Sequence, residues 1–120
     1  MQKLRIAVLA SGGGSNLQAL IDATERGEIN GDIAVVISDK ADAFALERAR
    51  QHGIKAVVIG RGDFADNKEF NCGIVQVLKS EAVDLVVLAG FLPILHSVFV
   101  QAFPDKILNI HPSLIPSFCG

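Results

Sequence analysis

The sequence has no tryptophan and no tyrosine, only one methionine, and just two cysteines in 120 residues. Cys72 and Cys119 are too far apart for a C-x-x-C pair, which excludes a zinc-type cluster and a disulfide framework and leaves two free thiols in a reducing compartment. Charge of one sign is missing too. The formal net charge is −2, with acids and bases interspersed and no Lys/Arg run. The long-range positive field that draws in nucleic acid is therefore absent, and any anionic ligand must be held locally. No apolar run is long enough to span a membrane, and the short one before Ser11 and Gly12 lacks a small-residue cleavage site. These absences lead us to expect a soluble cytoplasmic protein with neither a nucleic-acid nor a membrane partner.

What is present is a recurring apolar pattern. Half of the residues are apolar, enough for one core, and a single domain over residues 1–120 is expected. β-Branched runs at 5–9, 32–38, 56–59, 85–88 and 107–110 are nearly continuous, as in parallel strands covered on both faces. Helical patterns fill the gaps. In the first, Leu17, Leu20, Ile21 and Thr24 share a face and Gly27 supplies the stop; in the second, Asp42 is the expected N-cap and Gly53 the stop. The third pairs Asp66 with Glu69 at capping-box spacing before a stripe of Phe70, Ile74, Val77 and Leu78. The fourth is expected over residues 94–100, opening near Pro93. Strict alternation of strand and helix implies an α/β fold: an open, mostly parallel, Rossmann-like sheet with helices on both faces. The sequence ends about ten residues after the fifth strand, which reads as a truncation.

Three segments fall where such sheets bind ligands, beyond the carboxyl ends of the strands. Ser11-Gly12-Gly13-Gly14-Ser15-Asn16 lacks the Lys of a Walker A loop, and Leu17 stands where the dinucleotide fingerprint needs its third glycine. A monophosphate held by backbone N–H groups fits better; equally, the segment reads as a flexible turn whose Ser or Asn caps the helix. Asp39, after the second strand, is read as a solvated carboxylate in preference to a ribose ligand. Ala89-Gly90-Phe91-Leu92-Pro93-Ile94-Leu95 reads either as one wall of a pocket for a flat ligand or as simple packing of the fourth helix, and packing is favoured on this segment alone. In Asn109-Ile110-His111-Pro112, residues two apart on a strand share a face, so an amide and an imidazole stand side by side. Pro112 keeps His111 extended. A hydrogen-bond donor beside a group titrating near neutrality suits attack on a carbonyl carbon. His52 and His96 lack such partners and are read as structural or solvated.

These motifs, with Lys40-Ala41-Asp42-Ala43 after the second strand and the run to Ser113-Leu114-Ile115-Pro116, resemble the folate-dependent formyltransferases in order and spacing along the whole chain. The last motif is shared with the methionyl-tRNA formyltransferases and formyltetrahydrofolate deformylases. The glycine loop with Ser15 and Asn16 is similar to the branch that acts on glycinamide ribonucleotide. The resemblance implies formyl transfer from 10-formyltetrahydrofolate to the amine of glycinamide ribonucleotide in purine biosynthesis, without a metal. It implies phosphate binding by Gly14, Ser15 and Asn16, and folate binding by Asn67, Leu92, Pro93, Ile94, Leu95 and Asn109. It further implies that Asn109 bonds the formyl oxygen and that His111 is the general acid, aided by an Asp beyond Gly120. Pro93 and Asn67 depart from the basic residues common there in relatives. Two other readings are a 10-formyltetrahydrofolate hydrolase of the same fold and a catalytically incompetent phosphate-binding fragment; residues 1–120 alone are expected to turn over little or nothing. The open edge of the fifth strand also makes a homodimer an expectation.

Overall fold

The computed structural model describes residues 3–110, arranged as five parallel strands and four α-helices that alternate along the chain. The strands are β1 (Leu4–Leu9), β2 (Gly31–Ser38), β3 (Lys55–Val58), β4 (Leu85–Ala89) and β5 (Ile107–Ile110), in sheet order β3-β2-β1-β4-β5. The helices are α1 (Ser15–Glu25), α2 (Phe44–Gln51), α3 (Asn67–Ser80) and α4 (Ser97–Ala102), with a 3-10 turn at Arg61–Asp63. This is the Rossmann-like α/β sheet expected from the pattern.

Continuous apolar strands arise because each strand feeds two cores. Ile6, Val8, Val36, Val87 and Ala89 pack with Leu17, Ile21, Leu46 and Ala49 of α1 and α2. Ala7, Leu9, Val35, Ile37, Val86 and Leu88 pack on the opposite face with Phe70, Ile74, Leu78 and Phe99 of α3 and α4. Full burial of each Val, Leu or Ile side chain among them contributes about 1.5–3 kcal/mol, so β1, closed on both faces, is the anchor of the sheet. Its register against β2 slips once, from Ile6↔Ile33 to Ala7↔Val35, so Ala34 is the extra residue of a bulge.

Local chemistry sets most helix ends. Gly27 and Gly53 follow α1 and α2 with φ of 77° and 71°, the left-handed stop that glycine adopts cheaply. Asp66 caps α3, its carboxylate accepting the Glu69 amide at 2.8 Å. Two ends differ from expectation. The cap position of α2 is Ala43, not Asp42, which is exposed; Gly12 O of the first loop instead accepts the Ala45 amide at 3.1 Å. Helix α4 begins at Ser97, not near Pro93. The His96 imidazole caps it, Nδ1 accepting from Val98 N at 3.1 Å, while Pro93 is buried in the non-helical segment that precedes it.

From β1 the chain crosses over one face to β2, and from β3 it crosses over the other face to β4. Neighbouring strands β1 and β4 therefore send their connections apart, and a crevice opens beyond their carboxyl ends. Among the described residues no helix is long and apolar enough to cross a membrane.

Candidate functional site

At that crevice the two strand ends splay. Ala10 N donates to Ile37 O on the β2 side, whereas Ser11 N donates to Gly90 O on the β4 side at 3.2 Å. Gly90 turns the chain with φ of 72°. A cavity of about 170 Å³ lies between, lined by Gly12, Gly13, Gly14, Ser15, Asn16, Ala89 and Gly90. The three residues expected to hold phosphate thus share one small concavity.

The glycine loop is tied down from behind. Gly12 O accepts Ala45 N, Gly13 O accepts Arg48 Nε at 2.8 Å, and Gly14 O accepts Gln18 N at 2.8 Å. In a planar trans peptide, the C=O and the following N–H point in opposite directions. With three carbonyls turned into the protein, the amides of Gly13, Gly14 and Ser15 turn away from it, and among the described residues nothing accepts from them. Gly14, at φ 79° and ψ 31°, is the N-cap of α1; no side chain caps it, which answers the capping-turn alternative, and no acid stands in the first turn. The positive end of the helix dipole and a row of open donors meet at one point, a geometry suited to an oxyanion.

Ser11 and Asp39 link this loop to its neighbours. The buried Ser11 hydroxyl donates to Asp39 Oδ1 at 2.6 Å and accepts the Leu92 amide at 2.9 Å. Asp39 is therefore a half-buried hydrogen-bond acceptor, not the solvated carboxylate expected from sequence.

A second, larger cavity of about 660 Å³ opens beside Leu92. Its lining includes Asn67, Leu92 and Pro93 with Phe64, Phe70, Lys40 and Arg61. Gly73 of α3 makes room for one wall, since a Cβ there would lie 2.8 Å from the Phe64 ring, which meets Phe70 edge-on at 6.0 Å. Ile94 is 78% exposed, and Leu95 is half-buried against the α3/α4 core. The segment is held by Asn71, fully buried in α3, whose amide donates to Ile94 O and to Asn67 O, and whose oxygen accepts His96 N at 3.0 Å. Asn67 donates to Ile94 O as well. Sequence reasoning passed over Asn71, although a polar residue beside Phe70, Ile74 and Leu78 on an apolar stripe was a signal.

Asn109 lies in β5 opposite Leu88, exposed, at the same carboxyl edge of the sheet. The next pair, Ala89↔Ile110, adjoins the small cavity. Strand spacing of ~4.8 Å puts β5 about 10 Å from β1, one strand removed from the glycine loop. His111 lies outside the described residues. His52, at the end of α2, joins Glu25 of α1 at 2.9 Å and meets the Gln18 side chain at 3.3 Å, and it lines neither cavity. Among the described residues no group of three or more His, Cys, Asp or Glu could hold a metal.

Comparison with known proteins bears on what this rim is for. A family model described as Formyl transferase matches residues 4–120. The phosphoribosylglycinamide formyltransferase of Haemophilus influenzae is 53% identical over 116 residues, covering 97% of this chain and 55% of the relative. The human trifunctional purine biosynthetic protein adenosine-3 is 48% identical over 119 residues, covering 99% of this chain and 12% of the relative. Among solved structures, glycinamide ribonucleotide transformylase 1 from Symbiobacterium toebii superposes with a TM-score of 0.91 at 46% identity, covering 98% of this chain and 56% of that one. The chain thus spans about half the length of the Haemophilus influenzae and Symbiobacterium toebii relatives. With motifs, sheet order and relatives in agreement, the chain belongs to the formyl transferase family.

Proposed function

We propose that the full-length protein is a cytoplasmic enzyme of purine biosynthesis that moves a formyl group from 10-formyltetrahydrofolate to the primary amine of glycinamide ribonucleotide. The observation that carries this reading is the glycine loop: three carbonyls bound from behind and three amides open to a 170 Å³ cavity at the strand crossover. That size and polarity fit a single phosphate, held by Gly14, Ser15 and Asn16. The names of the relatives, two of which carry the ribonucleotide substrate, support the same assignment.

The larger cavity suits the cosubstrate. Phe64, Phe70, Leu92 and Pro93 offer an apolar wall for a flat ring, and Lys40 and Arg61 stand at its lining for an anionic end. In this reading Asn67, Leu92, Pro93, Ile94, Leu95 and Asn109 contact folate. The chemistry follows from the amide and the imidazole, without a metal. The amine nitrogen attacks the formyl carbon, Asn109 donates to the oxygen as negative charge gathers there, and the bond from carbon to folate nitrogen breaks. His111 delivers the proton that the departing nitrogen takes up, the amine gives up its own to water, and the imidazole regains a proton from solvent.

The test is formyl transfer by the full-length protein, with glycinamide ribonucleotide compared with the riboside that lacks phosphate. Transfer to the ribonucleotide is expected, with kcat/KM about a hundredfold lower for the riboside through loss of charge-assisted bonds. Formate release at the same rate with or without the amine would instead mark a hydrolase and overturn the assignment.

A further inference from the structure

The three bound carbonyls of the glycine loop are not bound alike. Gly12 O is held by a backbone amide of α2 and Gly14 O by a backbone amide of α1, but Gly13 O is held by a side chain, Arg48 Nε at 2.8 Å. The peptide plane it belongs to has glycine on both sides. No Cβ resists rotation of that plane, so the hydrogen bond decides which way its N–H points.

Arg48 is built for the task. Its Nη1 donates to Gln18 Oε1 at 3.1 Å, and its guanidinium lies over the Phe44 ring, 4.8 Å from the centroid. Among the described residues no carboxylate pairs with it, so its fixed partners are a carbonyl, an amide and a ring, all neutral. A planar fork clamped at three points has one orientation to offer Gly13.

We propose that Arg48 is a positioning residue for phosphate binding: by latching Gly13 O it turns the Gly14 N–H into the small cavity. Arg48 does not itself touch the ligand. The inference rests on the phosphate reading of the loop and adds the device that keeps the loop in its binding shape before the ligand arrives.

The experiment uses the full-length protein and its Arg48→Met and Arg48→Lys variants, titrated with glycinamide ribonucleotide and with the phosphate-free riboside. In the unaltered protein the ribonucleotide should bind more tightly. Arg48→Met should weaken ribonucleotide binding about 10- to 100-fold, the weight of one charge-assisted hydrogen bond, and leave riboside binding and the KM for folate within about twofold. Lysine keeps the charge but cannot hold Gly13 O and Gln18 in one plane, so Arg48→Lys should restore less than half of the lost preference. If Arg48→Met fails to fold, Arg48→Lys carries the comparison. A Gly14 amide resonance that moves on adding inorganic phosphate to the unaltered protein, and stays still in the variants, would support the latch. Full restoration by lysine, equal weakening of ribonucleotide and riboside, or an unchanged preference in a folded variant would each overturn it. An unaltered protein with no preference for the phosphorylated substrate would sink the phosphate reading itself.

Discussion

A methyl group added at Gly14 has nowhere to go. The Cβ of Gly14→Ala would fall 2.9 Å from Ala45 Cβ, 3.0 Å from Ala45 Cα and 3.4 Å from Arg48 Cδ, with the backbone still at φ 79°. Left-handed backbone costs alanine about 1–2 kcal/mol. Overpacking against helix backbone, which cannot swing aside as a side-chain tip can, adds about 1–3 kcal/mol. The expected loss is about 2–5 kcal/mol, a large share of the ~5–15 kcal/mol that holds a typical domain. Relief would require α2 to back away, which strains the bond between Ala45 N and Gly12 O. Gly13→Ala is the control, since a Cβ there meets nothing within 4 Å and no positive φ is involved. That change should be neutral or stabilise by about 0.4–1 kcal/mol through the unfolded chain. Urea unfolding of the full-length protein and both variants reads the difference directly. Equal stability of the two variants, within about 0.5 kcal/mol, would refute the claim that close approach of α2 dictates glycine at position 14.

Other substitutions test the remaining supports. Ser11→Ala strips Asp39 of its donor and Leu92 N of its acceptor, so a loss of about 1–3 kcal/mol is expected in the same unfolding measurement. Asn71→Leu fills the space but leaves His96 N without its acceptor and Ile94 O with Asn67 as its one remaining donor; stability should fall by about 1–3 kcal/mol, and steady-state kinetics should show the KM for folate rising more than that for the ribonucleotide. Asn109→Ala leaves an exposed strand position intact, so melting should hardly change while kcat falls about 10²- to 10³-fold.

Much of this molecule was legible as sequence because its rules are local. Continuous β-branched runs marked all five strands, and Gly27, Gly53 and Asp66 marked helix ends because each acts on residues within one turn. The failures share a cause as well. Asp42 looked like a cap, yet the first turn of α2 is completed by a carbonyl from the loop after β1. Pro93 looked like a helix start, but the segment through Leu95 is held non-helical by Asn67 and Asn71 of α3, and an imidazole, seldom a cap, opens α4. Arg48 carried no signal at all, since its partner Gly13 is 35 positions away. Motif spacing could name the loop residues. It could not name what braces them.

Those braces also join the two cavities. Ser11 bonds to Asp39, 28 positions away and part of the larger cavity, and to Leu92, 81 positions away and part of the same wall. Its own amide is bound to Gly90, which lines the smaller cavity. One small buried side chain therefore sits between the floor of the smaller cavity, proposed above for the ribonucleotide, and the wall of the larger, proposed for folate. Because packed, hydrogen-bonded groups deform in concert, Ser11→Ala should disturb both ligands, whereas Arg48→Met, bound only to the loop and its two flanking helices, should disturb one. Separate titrations of the two ligands against the two variants distinguish a shared hinge of the site from a private one.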